Sequence, residues 1–368
     1  MAVALITNYL PPYRLPLYAL LAERLDVEVH CFGGEGHYVP EALRDLDRQL
    51  EQATFPAYRL EDQRDARRLA ERYDAVIAST AGRVALPMAY LGARRARRPF
   101  LLWASLWRHP RTAAHVLSFP LMRSVYRGAD AVIAYGPHVQ RYVAERRGSD
   151  DGIYVAPQAV EPELFGRSVS EHEIEAWRDE IGAGAGPLVL FAGRLVADKG
   201  VRVLLEAWKR LSIAESTLCL LGDGPLLDDV RVHTTEAVLT PGRLERERLP
   251  VAYAAADVVV VPSIATRRFL EPWGLVCNEA LSQGTPVIAT DAVGAAAGGL
   301  VRDGETGAVV PAGDVGALSQ ALARLMADGE LRARLGQRGR EEVGGYTYER
   351  AADAFASALA HASGGASS

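Results

Sequence analysis

The chain has 368 residues, more than one compact core usually holds, so two domains are expected. Apolar residues make up 49% and charged residues 24%, an ordinary globular balance, and the net charge of −5 argues against a dedicated nucleic-acid binder, which would be strongly basic. The charge is uneven: residues 1–165 carry 21 arginines against 19 acidic residues, and the remainder carries 20 cations against 27. That mildly basic first half leaves room for an acidic acceptor or for peripheral contact with an anionic membrane.

Taken in chain order, the first element is a strand at 2–7, not a signal peptide, because it has no basic start. An amphipathic helix follows over Pro11 to Leu25. Asp45 and Asp47 form a D-x-D pattern but sit in a charged helical stretch, Arg44 to Glu51, and read as a solvated face. Further strands are expected at 26–31, 75–78, 100–104, 131–135 and 153–156. Arg94, Arg95, Arg97 and Arg98 read as a solvated helix C-terminus, with contact to anionic lipid as the sharper alternative. Val155 to Pro187, punctuated by Pro157, Pro162, Gly182, Gly184 and Gly186, reads as a linker with a short helix. A second strand series is expected at 187–192, 216–221, 257–261, 286–289 and 308–310. Strands alternating with helices indicate parallel sheets, so the fold class is α/β with two Rossmann-like domains facing across a cleft. The tail after Ser363 is expected to be disordered. No run of roughly 18 uninterrupted apolar residues occurs, so no membrane span is expected. Cys31, Cys219 and Cys277 are scattered without a C-x-x-C pair, which fits a reducing cytoplasm and offers no zinc site.

Three segments of the second series carry chemistry. In the first, a strand feeds Gly193, Arg194, Lys199 and Gly200 before a helix begins. Gly193 permits close backbone approach, and the arginine fork with the lysine point charge suits a diphosphate. Lys199 and Lys209 are the only lysines among 41 cations, which makes a lysine here notable. A plain solvated loop has equal weight on these residues alone. In the second, a buried strand ends at Gly222, Asp223, Gly224 and Pro225, which by itself is an ordinary βα turn. In the third, Glu271 and Glu279 are spaced Glu-x7-Glu around Gly274, Leu275 and Val276, where a helix start would present backbone N–H groups to an anion.

In order along the chain stand Gly-Arg-Leu-x-x-x-Lys-Gly (193–200), Gly-Asp-Gly-Pro (222–225), Tyr-Ala-Ala-Ala-Asp-Val (253–258), Pro-Ser (262–263), Glu-x7-Glu (271–279), Gly-Thr-Pro-Val-Ile-Ala-Thr (284–290) and Val-Arg-Asp-Gly-Glu-Thr-Gly (301–307). This set resembles the donor domain of retaining glycosyltransferases of family 4, with the GT-B fold, densely over about 187–345. The opening Asn8-Tyr9-Leu10-Pro11-Pro12-Tyr13-Arg14-Leu15-Pro16 is similar to one branch of such enzymes. The resemblance implies an N-terminal acceptor domain (1–160), a C-terminal nucleotide-sugar donor domain (161–345), a helix (346–362) able to pack back on the N-terminal domain, and a tail (363–368). It implies a hexosyltransferase that takes a UDP- or GDP-sugar as co-substrate, retains configuration, uses no metal or other cofactor, and acts in the cytoplasm or peripherally at the inner face of the membrane on a sugar or lipid-linked acceptor in glycan biosynthesis. Arg194 and Lys199 would contact the diphosphate, Glu279 the ribose and Glu271 the donor sugar. Gly193, Gly222, Asp223, Gly224, Gly274, Leu275 and Val276 would line the donor, with Leu244 near the base. Asn8, Tyr9, Arg14 and Trp107 would meet the acceptor, and His109 would act catalytically beside the sugar.

The sequence departs from many such enzymes at Thr7-Asn8-Tyr9-Leu10, where they carry a Gly-Gly loop, and in a short helix after Gly224. His109 lies a few residues beyond the corresponding histidine, and its plain alternative is a loop histidine stacked on Trp107. His30, His115 and His138 read as structural or surface residues. A sugar-nucleotide epimerase, a glycan phosphorylase or a nucleotide-binding regulatory module remain alternatives. An NAD dehydrogenase is disfavoured because no G-x-G-x-x-G follows a first strand.

Overall fold

The computed structural model describes residues 1–33, 45–211, 215–232 and 237–364. Arg44 and the tail residues 365–368 lie outside them. The chain divides into two units: Met1–Ala159 together with the chain from Thr347 onward, and Val160–Tyr346.

The first unit is a seven-stranded parallel sheet of β1 (Val3–Thr7), β2 (Val27–Cys31), β3 (Ala57–Arg59), β4 (Ala75–Ser79), β5 (Phe100–Ala104), β6 (Ala131–Ala134) and β7 (Ile153–Val155), in the order β3-β2-β1-β4-β5-β6-β7. β1, β4, β5 and β6 are buried along their whole length, as parallel strands covered on both faces must be. The helix Tyr348–Gly364 belongs here: Phe355 meets Trp103 of β5 edge to face at 5.3 Å, and the Tyr348 hydroxyl donates to the Tyr13 carbonyl at 2.8 Å. Ser363 and Gly364, expected in a disordered tail, are the last turn of this helix.

The second unit holds β8 (Leu188–Ala192), β9 (Thr217–Leu221), β10 (Val238–Gly242), β11 (Val258–Val261), β12 (Val287–Thr290) and β13 (Gly307–Val310), in the order β10-β9-β8-β11-β12-β13. Its strands divide their side chains between two cores. Leu190, Cys219 and Val259 point into one, and Val189, Leu218 and Val258 into the other. Val155–Ala159 belong to the first unit, while from Val160 onward the segment expected to be a linker is built into this one. Its helix Glu171–Ile181 opens with a capping box between Ser170 and Glu173 and stops at Gly182 in the left-handed conformation. β3 and β10 were not expected.

The D-x-D pattern is structural. Asp45 caps the helix Leu46–Glu51 by accepting from the Arg48 N–H at 3.1 Å, and Asp47 pairs with Arg59 at 2.6 Å. The arginine cluster caps its helix, Ala85–Ala96, but two of its members are paired: Arg94 with Asp130 at 3.0 Å and Arg98 with Asp74 at 3.5 Å.

Candidate active site

In both sheets the strand order reverses beside the first strand, between β1 and β4 and between β8 and β11. At such a switch point the loops beyond the carboxyl ends diverge and leave a crevice for a ligand. In the second unit those loops carry the residues singled out above.

The loop after β8 runs from Gly193 to Gly200. Its backbone is locked to the loop after β9: the Gly193 N–H donates to Leu221 O at 2.9 Å, and the Leu195 N–H donates to Asp223 O at 2.8 Å. At Gly222, with φ +143°, an added Cβ would stand 1.8 Å from Gly193 O. Glycine at 222 is thus what lets the two loops touch. Asp223 turns its carboxylate onto the Gly224 N–H at 2.6 Å.

Lys199 closes a 3-10 turn, Ala197–Lys199, that is hooked to the loop after β11 by the Ile264 N–H on Asp198 O at 2.9 Å. This brings Lys199 Nζ onto Glu271 Oε2. The same carboxylate oxygen accepts from the Ser263 hydroxyl at 3.1 Å. Ser263 is fully buried and Glu271 nearly so. The pair named separately from the sequence, a cation for a diphosphate and a carboxylate for a sugar, is therefore one ion pair here. Arg194 stands half-buried on the same loop as Lys199.

Glu271 is held by its backbone. It bridges to Val293, and its carbonyl accepts from the Gly294 N–H at 3.1 Å. Gly274, at φ +94°, turns the chain into the helix Val276–Ser282, with Leu275 as N-cap. The N–H groups of Leu275 and Val276 precede the first intrahelical bonds. Glu279, a turn in, accepts from the Tyr253 hydroxyl at 2.5 Å. Burial pushes its carboxyl above the usual range, while the Tyr253 hydrogen bond and the charge of Arg246 pull it back. Arg246 is fixed by Glu161 at 2.9 Å. Leu244, expected near a base, packs against the core that holds Leu190, Cys219 and Val259. The sequence reading gave no role to Ser263, Tyr253 or Arg246. Tyr253 stood inside a quoted motif, but a tyrosine followed by three alanines reads as core.

In the first unit, Asn8 and Tyr9 follow β1, and Arg14 ends the 3-10 turn Pro12–Arg14. Arg14 is wrapped in rings, 4.7 Å from the Trp103 centroid and 5.1 Å from Tyr135, and it donates to the Tyr135 hydroxyl. Burial would lower its pKa, but the surrounding tyrosines hold it above the ordinary arginine value. His109 does not stack on Trp107. Its Nε2 meets the His115 carbonyl at 2.8 Å and its ring lies 4.9 Å from Phe119, whereas Trp107 packs edge to face on His138 at 5.1 Å. His109 also lines a cavity of about 270 Å³ under the helix Ala113–Gly128.

The family model described as Glycosyl transferases group 1 matches residues 173–342, and that described as Glycosyltransferase Family 4 matches residues 17–164. The chain belongs to glycosyltransferase family 4. Among curated relatives in this family's range, a D-inositol 3-phosphate glycosyltransferase of Xylanimonas cellulosilytica is 34% identical over 255 residues, which is 65% of this chain and 58% of that protein. A sulfoquinovosyl transferase of Arabidopsis thaliana is 29% identical over 239 residues, 63% of this chain and 44% of that one. The aligned part of the chain thus spans about half the length of the curated relatives it matches. Anabaena HepE, solved in complex with UDP, aligns over 98% of this chain and 100% of its own with a TM-score of 0.79 at 21% identity. That likeness is one of fold, and the fold of this family-4 chain, two parallel-sheet α/β units, is GT-B.

Proposed function

We propose that the chain is a glycosyltransferase that moves a hexosyl unit from a UDP- or GDP-sugar to a hydroxyl of a glycan, a lipid-linked sugar or a small molecule, with retention of configuration and without a metal. The observation that carries this is the Lys199–Glu271–Ser263 cluster at the β8/β11 switch point, beside the locked glycine loops. An arriving diphosphate competes with Glu271 for Lys199. The ammonium turns to the phosphate oxygens, and the released carboxylate becomes an acceptor for sugar hydroxyls. Glu279, braced by Tyr253, accepts from the ribose hydroxyls. Arg194 and the N–H groups of Leu275 and Val276 complete the anion site.

In the transfer, the bond from the anomeric carbon to the diphosphate oxygen breaks and its electron pair leaves with the phosphate. Lys199 and Arg194 stabilise that growing charge. The acceptor hydroxyl oxygen bonds to the same face of the anomeric carbon, and its proton passes to the leaving phosphate oxygen. Asn8, Tyr9, Arg14 and Trp107 are assigned to the acceptor, and His109 to a hydrogen bond with the donor sugar. The HepE structures with UDP and with UDP-glucose support a uridine donor as the first one to try.

The test is a thermal-shift panel of UDP, GDP and ADP, followed by calorimetry on Lys199→Ala. One of UDP or GDP should raise the melting temperature. Lys199→Ala should weaken that diphosphate about tenfold or more, the scale of a lost charge-assisted hydrogen bond. No shift with any of the three nucleotides, or unchanged affinity in the variant, sinks the reading. Product anomers resolved by NMR test retention, and turnover that persists in EDTA tests metal independence.

A further inference from the structure

We propose that the outward face of the helix Ala113–Gly128 is a docking surface for an anionic lipid bilayer. Five of the eight exposed large hydrophobic residues among the described ones fall between 84 and 121: Val84 at 39% exposed, Leu91 at 48%, Val116 at 61%, Leu117 at 83% and Leu121 at 43%. Three of them stand on this one helix at positions 116, 117 and 121, and exposed Pro120 sits among them. The spacing i, i+1, i+4, i+5 puts all four on one side of the helix, and all four are exposed. A contiguous apolar helix face open to solvent marks an interaction site, whereas single exposed leucines need no explanation.

The apolar face continues inward. Leu121 also lines the cavity of about 270 Å³, together with Leu86, Pro87, Leu106 and Met122, so an apolar chain lying on the face has somewhere to enter.

Charge identifies the occupant. Between Asp74 and Asp130 the sequence contains nine arginines and no acidic residue. The mild basic excess of the first half is concentrated here. Arg94 and Arg98, at the far end of the neighbouring helix, have their charge matched by Asp130 and Asp74. Arg83, Arg111 and Arg123 are exposed and have no ion pair among the described residues. Of the acids of the segment adjoining Val84, Asp65 is matched by Arg68 at 3.4 Å and Glu71 by Arg67 at 4.0 Å, while Asp62 accepts from the Arg64 backbone N–H at 2.8 Å. Exposed aliphatic residues accompanied in the same stretch of chain by exposed arginines without an ion pair among the described residues fit the boundary of a bilayer with acidic headgroups, where the chains take the leucines and the phosphates take the guanidinium groups. A second copy of this chain fits poorly, because a two-fold contact would set the same arginines against one another.

This inference goes beyond the acceptor reading above and does not need it, since the test contains no nucleotide and no acceptor. The full chain is floated on a density gradient with phosphatidylcholine vesicles and with vesicles in which roughly a third of the lipid is phosphatidylglycerol. It should rise with the acidic vesicles only, and less so at high salt. The double variant Leu117→Glu/Leu121→Glu should lose about tenfold in recovery, and Arg111→Glu/Arg123→Glu should weaken binding with no change in melting temperature. Val232→Glu, an exposed apolar residue of the other unit at 81%, should float as the parent does. Equal recovery with and without acidic lipid overturns the proposal, as does flotation indifferent to the Leu117→Glu/Leu121→Glu change. A parent that ignores vesicles but sediments as a dimer split by Leu117→Glu also overturns it and gives the face to a second copy.

Discussion

His30 shows how burial sets a charge state. Its ring stacks on Tyr58 at 5.3 Å, its Nε2 meets the Tyr73 hydroxyl at 3.0 Å, and burial drives its pKa down to about 4, against a partial pull upward from Glu28. The unfolded chain protonates histidine near pH 6.5, so it binds more protons than the native state between about 6.5 and 4. The contribution of neutral His30 is therefore present above about pH 6.5 and is lost as the pH falls toward 4, a total on the order of 3 kcal/mol. Urea denaturation at pH 7 and at pH 4.5 should show the parent losing more stability than His30→Phe over that interval. Identical losses would place the acid sensitivity elsewhere.

The two glutamates of the donor site should fail differently. Glu279 holds a hydroxyl and shares nothing with Lys199, so Glu279→Ala should raise the donor KM by roughly tenfold. Glu271 is tied to Lys199 and Ser263, so Glu271→Ala should chiefly lower kcat, by about a hundredfold. In the same assay His109→Ala should cost about a hundredfold in kcat and His115→Ala little. Steady-state kinetics with both unaltered glutamate variants would show that the site has been built on the wrong residues.

At the level of elements, a single methyl group tests the locked loops. Gly222→Ala would drive its Cβ into Gly193 O, and one of the two loops must move. Stability should fall by about 2 kcal/mol or more, and diphosphate affinity should fall with it, because the displaced loop carries Arg194. Calorimetry on a Gly222→Ala protein that binds like the parent would separate the glycine loops from the ligand.

The same elements mark what could be read from residues alone. β8, β9 and β11 were legible because they are apolar runs closed by glycine or proline. β3 and β10 were not. β3 is three residues long with Tyr58 and Arg59 exposed, and β10 ends in Pro241 and Gly242, which read as a turn but are tolerated on an edge strand. The donor loops were legible because only glycine permits their backbone contact. The Lys199–Glu271 pair was not, because 72 residues separate its members and strand order alone brings them together. The surroundings of His109 depend on how the helix Ala113–Gly128 folds over it, which no local pattern encodes.

At the level of the whole molecule, the first unit is discontinuous and the second is a single stretch. Deleting the chain from Thr347 onward removes Phe355 from Trp103 and uncovers β5, β6 and β7. A scan of that truncated protein should show the first unit melting well below its parent temperature and the second unit unchanged. Loss of both transitions together would mean that the second unit depends on the first.

That discontinuity also reverses the order in which the protein can mature on the ribosome. The strands of the first unit emerge early, but the helix that covers three of them is translated only after all of Val160–Tyr346. At roughly 5–20 residues per second the wait is on the order of tens of seconds. Through that interval the nascent first half carries an uncovered row of aromatic and β-branched residues while the second half, complete in itself, is free to close. The segment that completes the first unit is thus made after the whole of the second, so a nascent chain stalled before Tyr348 would be a client for holding chaperones through the strands of its first unit alone.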